Sequence, residues 1–159
     1  MATHGRTVWV VLLAAALLAS PAPAVAGDDE AQAFLEKIRA DKKLLVSMNM
    51  QLTDAEAKAF WPVYSRYQDE LFILRARTAN LIMEYAKAYE NMNNETAKKL
   101  LEENLAIETQ GAQLRQNYLA EFRKILPDIK VARYYQIENK INAVLMYELA
   151  RNIPLMQGK

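Results

Sequence analysis

Cysteine is absent from this chain, and histidine occurs once, at His4. With no disulfide possible, stability must come from packing alone. His4 falls in a leader-like N-terminal stretch, so the remainder has neither residue type. That excludes the usual zinc and copper(II) sites, and also the base or nucleophile of Ser-His and Cys-His enzymes. Glycine is scarce, at 4 of 159 residues, and no run alternates β-branched with polar side chains. A basic excess is missing too. Of 20 Lys and Arg, Arg6 lies in the leader, which leaves 19 against 19 Asp and Glu. A nucleic-acid binder would carry a basic patch or stripe.

What is present begins with a recognisable order at the N-terminus. Arg6 precedes the apolar run Val8–Leu18, and "SPAPAVAG" supplies small residues at Ala24 and Ala26. This is the layout of a secretory signal peptide, residues 1–26, with cleavage between Ala26 and Gly27. The run falls short of the ~20 apolar residues of an ordinary spanning helix. An uncleaved anchor is the rival reading. No cysteine follows to carry a lipid. The expectation is an exported chain, released after cleavage, with one domain over residues 27–159.

Ala, Leu, Glu, Lys, Gln, Arg and Met dominate that domain, and all are good helix formers. The fold class is therefore all-α. Start and stop signals divide it into four helices. The first covers about Asp29–Met50, with Phe34, Leu35, Ile38, Leu45 and Met48 on a loose apolar face. The second opens at Thr53, where "TDAE" forms a capping box with Glu56, and runs to about Asn91. Asn91–Asn94 reads as a turn. The third spans about Glu95–Ile125, with Glu95 and Lys99 as a supporting pair. "LPD", Leu126 to Asp128, ends it, and Pro127 suits the first turn of a fourth helix that stops near Arg151.

The second helix carries the clearest period. Phe60, Tyr64, Tyr67, Leu71, Leu74, Thr78, Leu81, Tyr85, Ala88 and Met92 alternate by four and three, a seam sustained over about four heptads. A helix of that length spans roughly 55–60 Å, too long for one small core to wrap. The spacing predicts an elongated helical hairpin completed by dimerisation. Pro62 sits inside it, although an interior proline costs roughly 3 kcal/mol. It is read as a kink that lets the helix bend with its partner, or as a fit to aromatic packing.

A repeat links two of the helix starts. "LTDAEAKAFW", Leu52 to Trp61, aligns with "LPDIKVARYY", Leu126 to Tyr135. Leucine matches leucine, the cap position holds Thr53 or Pro127, and Asp54 matches Asp128. Phe60-Trp61 falls opposite Tyr134-Tyr135, and Leu71 opposite Leu145. These helix starts, in an exported all-helical chain, resemble the LTXXQ motif of the periplasmic Spy/CpxP family. The first copy has Glu56 in place of the closing Gln. The second replaces both Thr and Gln, and "FWPVY" and "YYQIENKI" suggest a distinct branch. The resemblance spans roughly Glu30 to Ala150. It implies a periplasmic, ATP-independent chaperone of the envelope stress response, shaped as a cradle-like antiparallel homodimer with unfolded clients on its concave face. The alternative it implies is a non-enzymatic adaptor or sensor docking on one envelope signalling partner, akin to the metal-responsive relatives but without their histidine ligands.

A holdase surface needs apolar and Met side chains ringed by basic stems, with no defined pocket. Candidates for client contact are Met48, Met50, Phe72 and Ile73, then Arg75, Arg77, Ile82 and Met83. Phe72, Ile73 and Ile82 lie off the seam; each residue could instead be buried against a neighbouring helix. Arg75 and Arg77 read equally as solvated or ion-paired charges. Met48 and Met50 could form a soft Cu(I) pair, but no His or Cys completes the shell. Glu102, Glu103 and Glu108 lack the Glu-x-x-His partner of a di-iron bundle. "NET" at Asn94 reads as a helix cap rather than a glycosylation site. No catalytic residue, cofactor or metal is expected.

Overall fold

The computed structural model describes residues 28–156, and the side chains of residue 37 and of 39–156. The expected signal peptide lies outside the described residues, as do the side chains of Phe34, Leu35 and Ile38. Four α-helices follow one another: α1 (Asp28–Met50), α2 (Asp54–Ala88), α3 (Asn94–Arg123) and α4 (Asp128–Asn152), with a 3₁₀ turn at Tyr89–Asn91. The described residues contain no strand, as the composition predicts. The chain divides into two compact units. One joins α1 to the part of α4 from Ala132 onward; the other holds residues 52–131 and the tail from Leu155.

In the second unit, α2 and α3 form an antiparallel hairpin. Their links run in opposite chain order: Phe60 to Phe122, Glu70 to Tyr118, Arg77 to Glu103. α2 starts where the sequence says it must. The Thr53 N–H donates to Glu56 Oε2 at 2.8 Å, and the Glu56 N–H to Thr53 Oγ1 at 3.3 Å, so two orphan donors are satisfied reciprocally. α3 opens on Asn93, whose side chain accepts the Thr96 N–H at 2.9 Å. The cap is therefore Asn93, and Asn94 is the first helical residue.

All ten expected seam residues are buried or half-buried. Among these ten, full burial is confined to the base of the hairpin, at Phe60, Tyr64 and Tyr67, where Leu114, Tyr118 and Phe122 of α3 are buried too. There the rings form a connected cluster: Phe60 lies 5.6 Å from Phe122 and 5.1 Å from Trp61, and Tyr67 lies 5.2 Å from Tyr118, between centroids. Tilted and edge-on pairs of this kind add to the area they bury. From Leu71 to Met92 the seam is only half-buried, because two helices alone cannot enclose it.

α2 continues through Pro62 without a break. The ring is exposed, so its place is not explained by aromatic packing. On the solvent side, the Lys58 carbonyl that loses its intrahelical donor can turn to water.

In the first unit, Val46, Met50 and Tyr134 are buried. Lys42 Nζ meets Glu138 Oε2 at 2.9 Å, and Arg133 Nε donates to the Asn49 carbonyl at 2.6 Å. That carbonyl is one of the acceptors left open at a helix C-terminus, where a cation is favoured. Gln51, with φ of 51°, ends α1 in the left-handed conformation usually taken by glycine.

Two local expectations are corrected. Pro127 takes the cap position that the repeat gives it and not the first turn of α4: helix formation begins at Asp128, and the Pro127 carbonyl accepts the Lys130 N–H at 2.9 Å and the Val131 N–H at 3.1 Å. Lys99 turns from Glu95 to Glu84 of α2, at 4.0 Å.

Candidate functional site

Each copy of the repeat places its parts alike. Phe60 and Tyr134 are fully buried, at 0% and 1% exposure. Trp61 and Tyr135 beside them are half-buried, and each pair meets edge-on at 71° and 82°. Leu52 is half-buried and Leu126 buried, while the caps Thr53 and Pro127 are both exposed. Asp128 pairs with Arg123 at 2.8 Å. Most telling are the fifth positions. Glu56 of the first copy and Lys130 of the second form an ion pair. The fifth positions of the two copies thus carry opposite charges that meet each other. The Lys130 hydrogen bond, reinforced by the Thr53 backbone, lowers Glu56 from an ordinary 4.5 to about 2.

The client-contact candidates separate on inspection. Met48 is 58% exposed on α1, whereas Met50 is 1% exposed and belongs to a core. Met50 is therefore removed from the surface: ending α1, it turns inward. Phe72, Ile73 and Met83 are exposed along α2, Ile73 most of all at 63%. Ile82 and Arg75 are half-buried. Arg77 clamps the hairpin. Its Nε and Nη2 donate to Glu103 Oε1 at 3.0 and 2.8 Å, and its Nη1 donates to Gln110.

An open groove of about 460 Å³ runs beside that clamp, lined by Arg77, Asn80, Leu81, Glu84, Lys99, Leu100, Glu102 and Glu103. Its charges are already engaged with one another. Arg77 holds Glu103 and Lys99 faces Glu84, so they do not converge on a ligand. The three α3 carboxylates considered as metal ligands also point to separate partners. Glu103 meets Arg77, Glu102 lies 3.8 Å from Lys98, and Glu108 accepts from Asn104 at 3.0 Å.

Sequence reasoning missed two exposed leucines on α3, Leu101 and Leu105, at 58% and 51%. A signal was available. They stand four residues apart, each one position past a more covered residue, the buried Leu100 and the half-buried Asn104. Tyr118 at the hairpin base is also perturbed: burial, then its hydrogen bond to Glu70, pushes its phenol up to about 12.

What emerges is a charged helical hairpin with large apolar side chains left in the open and no convergent polar centre on them. Comparison with protein-family models, curated proteins and solved structures finds no match, so the functional reading rests on these residues.

Proposed function

We propose that this chain is a non-enzymatic, ATP-independent chaperone that holds unfolded or misfolded proteins, acting in the periplasm after export. The single observation that carries the reading is the exposure of Phe72, Ile73 and Met83 along α2. Phe72 and Ile73 stand side by side and Met83 about 15 Å farther along the helix, and exposed apolar surface of this kind marks interaction sites where it is extended. Here they sit on a helix whose seam accounts for none of them. Arg75, half-buried among them, brings a long aliphatic stem and a charge, and Met83 can repack around differing partners. The periplasm and envelope stress come from the resemblance of the helix starts, and so does a working homodimer. No helix among the described residues is long and apolar enough to cross a membrane.

The second reading is an adaptor or sensor that docks on one envelope signalling partner. The capped, ion-paired hairpin favours it, since a stiff surface suits one fixed partner. Breadth separates the two. Aggregation of two unrelated unfolding proteins is followed by light scattering, with and without the chain and without ATP. Suppression of both at near-stoichiometric ratio is expected. Failure with both overturns the holdase and leaves the single-partner adaptor, to be sought by its one saturable complex.

A further inference from the structure

The outer face of α3 carries a second heptad stripe, separate from the hairpin seam. Asn94, Lys98, Leu101, Leu105, Glu108 and Ala112 are spaced four, three, four, three and four, and every one is exposed. This is the a/d pattern of a coiled-coil seam, yet none of it is buried within the chain. Its order is self-complementary about position 103. Turn a second helix antiparallel around that point, and Leu101 falls opposite Leu105, Lys98 opposite Glu108, and Asn94 opposite Ala112. In antiparallel coiled coils each a layer faces a d layer of the other helix, and the stripe meets that condition throughout.

We propose that α3 pairs antiparallel with α3 of a second copy of this chain, with Leu101 packed on the partner's Leu105 and Lys98 paired with the partner's Glu108. This deepens the homodimer of the reading above by naming its face and register. Charge complementarity selects the occupant. A parallel pair would set lysine on lysine and glutamate on glutamate, which is repulsive. The antiparallel pair brings four leucines to the centre and an ion pair to each flank.

One contact opposes the pairing. Glu102 flanks the stripe next to the two-fold axis, where it approaches its own symmetry mate. Lys98, 3.8 Å from Glu102 in the same chain, offsets that repulsion while also reaching the partner. The stripe spans roughly 27 Å of helix and is narrow beside the ~800 Å² per partner of a standard interface. The dimer is therefore reversible, with exposed ion pairs that fix register more than affinity.

The test is sedimentation of the purified, processed protein over a concentration series, as wild type, as Lys98→Glu, as Glu108→Lys, and as an equimolar mixture of the two variants. Wild type should dimerise reversibly. Each single variant creates two like-charge pairs and should weaken association about tenfold. The mixture should recover it, because every cross-pair in the heterodimer is then matched. Cysteine scanning adds an orientation readout on a chain free of native cysteine. Chains with Leu101→Cys and with Leu105→Cys should cross-link to each other in preference to themselves. A monomeric wild type, single variants that associate as wild type does, no recovery on mixing, or preferential 101-to-101 cross-linking would each overturn the proposal. No client protein enters this experiment, so the dimer and the chaperone reading can fail independently.

Discussion

Glu56 is the residue on which two levels of the fold meet. It closes the α2 capping box and, through Lys130, ties the first turn of α4 to the first turn of α2. Its folded pKa is depressed, from 4.5 to about 2, so the stability it contributes is fully present above pH 4.5. That contribution is lost as the pH falls toward 2. Acid-dependent thermal melts should therefore show a loss across this window that Glu56→Gln removes. A variant with the wild-type slope would place the linkage elsewhere. Gly111 offers a test of opposite sign. It lies inside α3, and a Cβ built there meets nothing within 4 Å. Gly111→Ala should raise stability by about 1 kcal/mol, the helix-propensity difference, measured by denaturant unfolding. A destabilised variant would mean that the open space is used.

Among the elements, the hairpin is held unevenly. Its base is sealed by rings, with Phe60 and Phe122 at 0% exposure, while the α2 seam beyond Tyr67 is only half-buried. Phe122→Ala should cost about 3–5 kcal/mol, read from urea unfolding, and loss of less than about 1 kcal/mol would contradict a sealed base. The sequence made much of this legible, because helix starts, caps and heptad spacing are local properties. Thr53 with Glu56 marks the α2 start within one residue, and the ten seam positions are all turned inward. Pro127 read two ways, as a cap from the repeat and as a first-turn residue from the usual place of proline, since it supplies only a carbonyl and leaves no side-chain signature. The inward turn of Met50 and the meeting of Glu56 with Lys130 depend on which helices become neighbours, which no local pattern encodes. Leu101 and Leu105 were hidden by a different cause: apolar spacing on a helix implies burial unless the neighbouring stripe is already the buried one.

For the whole molecule, the division of labour is between a seam that folds the chain and the apolar side chains the seam leaves out. α2 shows Phe72, Ile73 and Met83; α3 shows Leu101 and Leu105. The first set is assigned to clients and the second to a second copy of the chain. The assignment is separable, since each set can be altered without touching a buried residue. Ile73→Asp places a charge at the most exposed of the α2 positions, where folding has little reason to respond. The most direct measurement is the aggregation of an unfolding client with this variant beside wild type, at equal helicity by circular dichroism. The client-holding account predicts that Ile73→Asp loses most of the suppression that wild type provides. Full suppression by the variant would contradict it and move the working surface off α2.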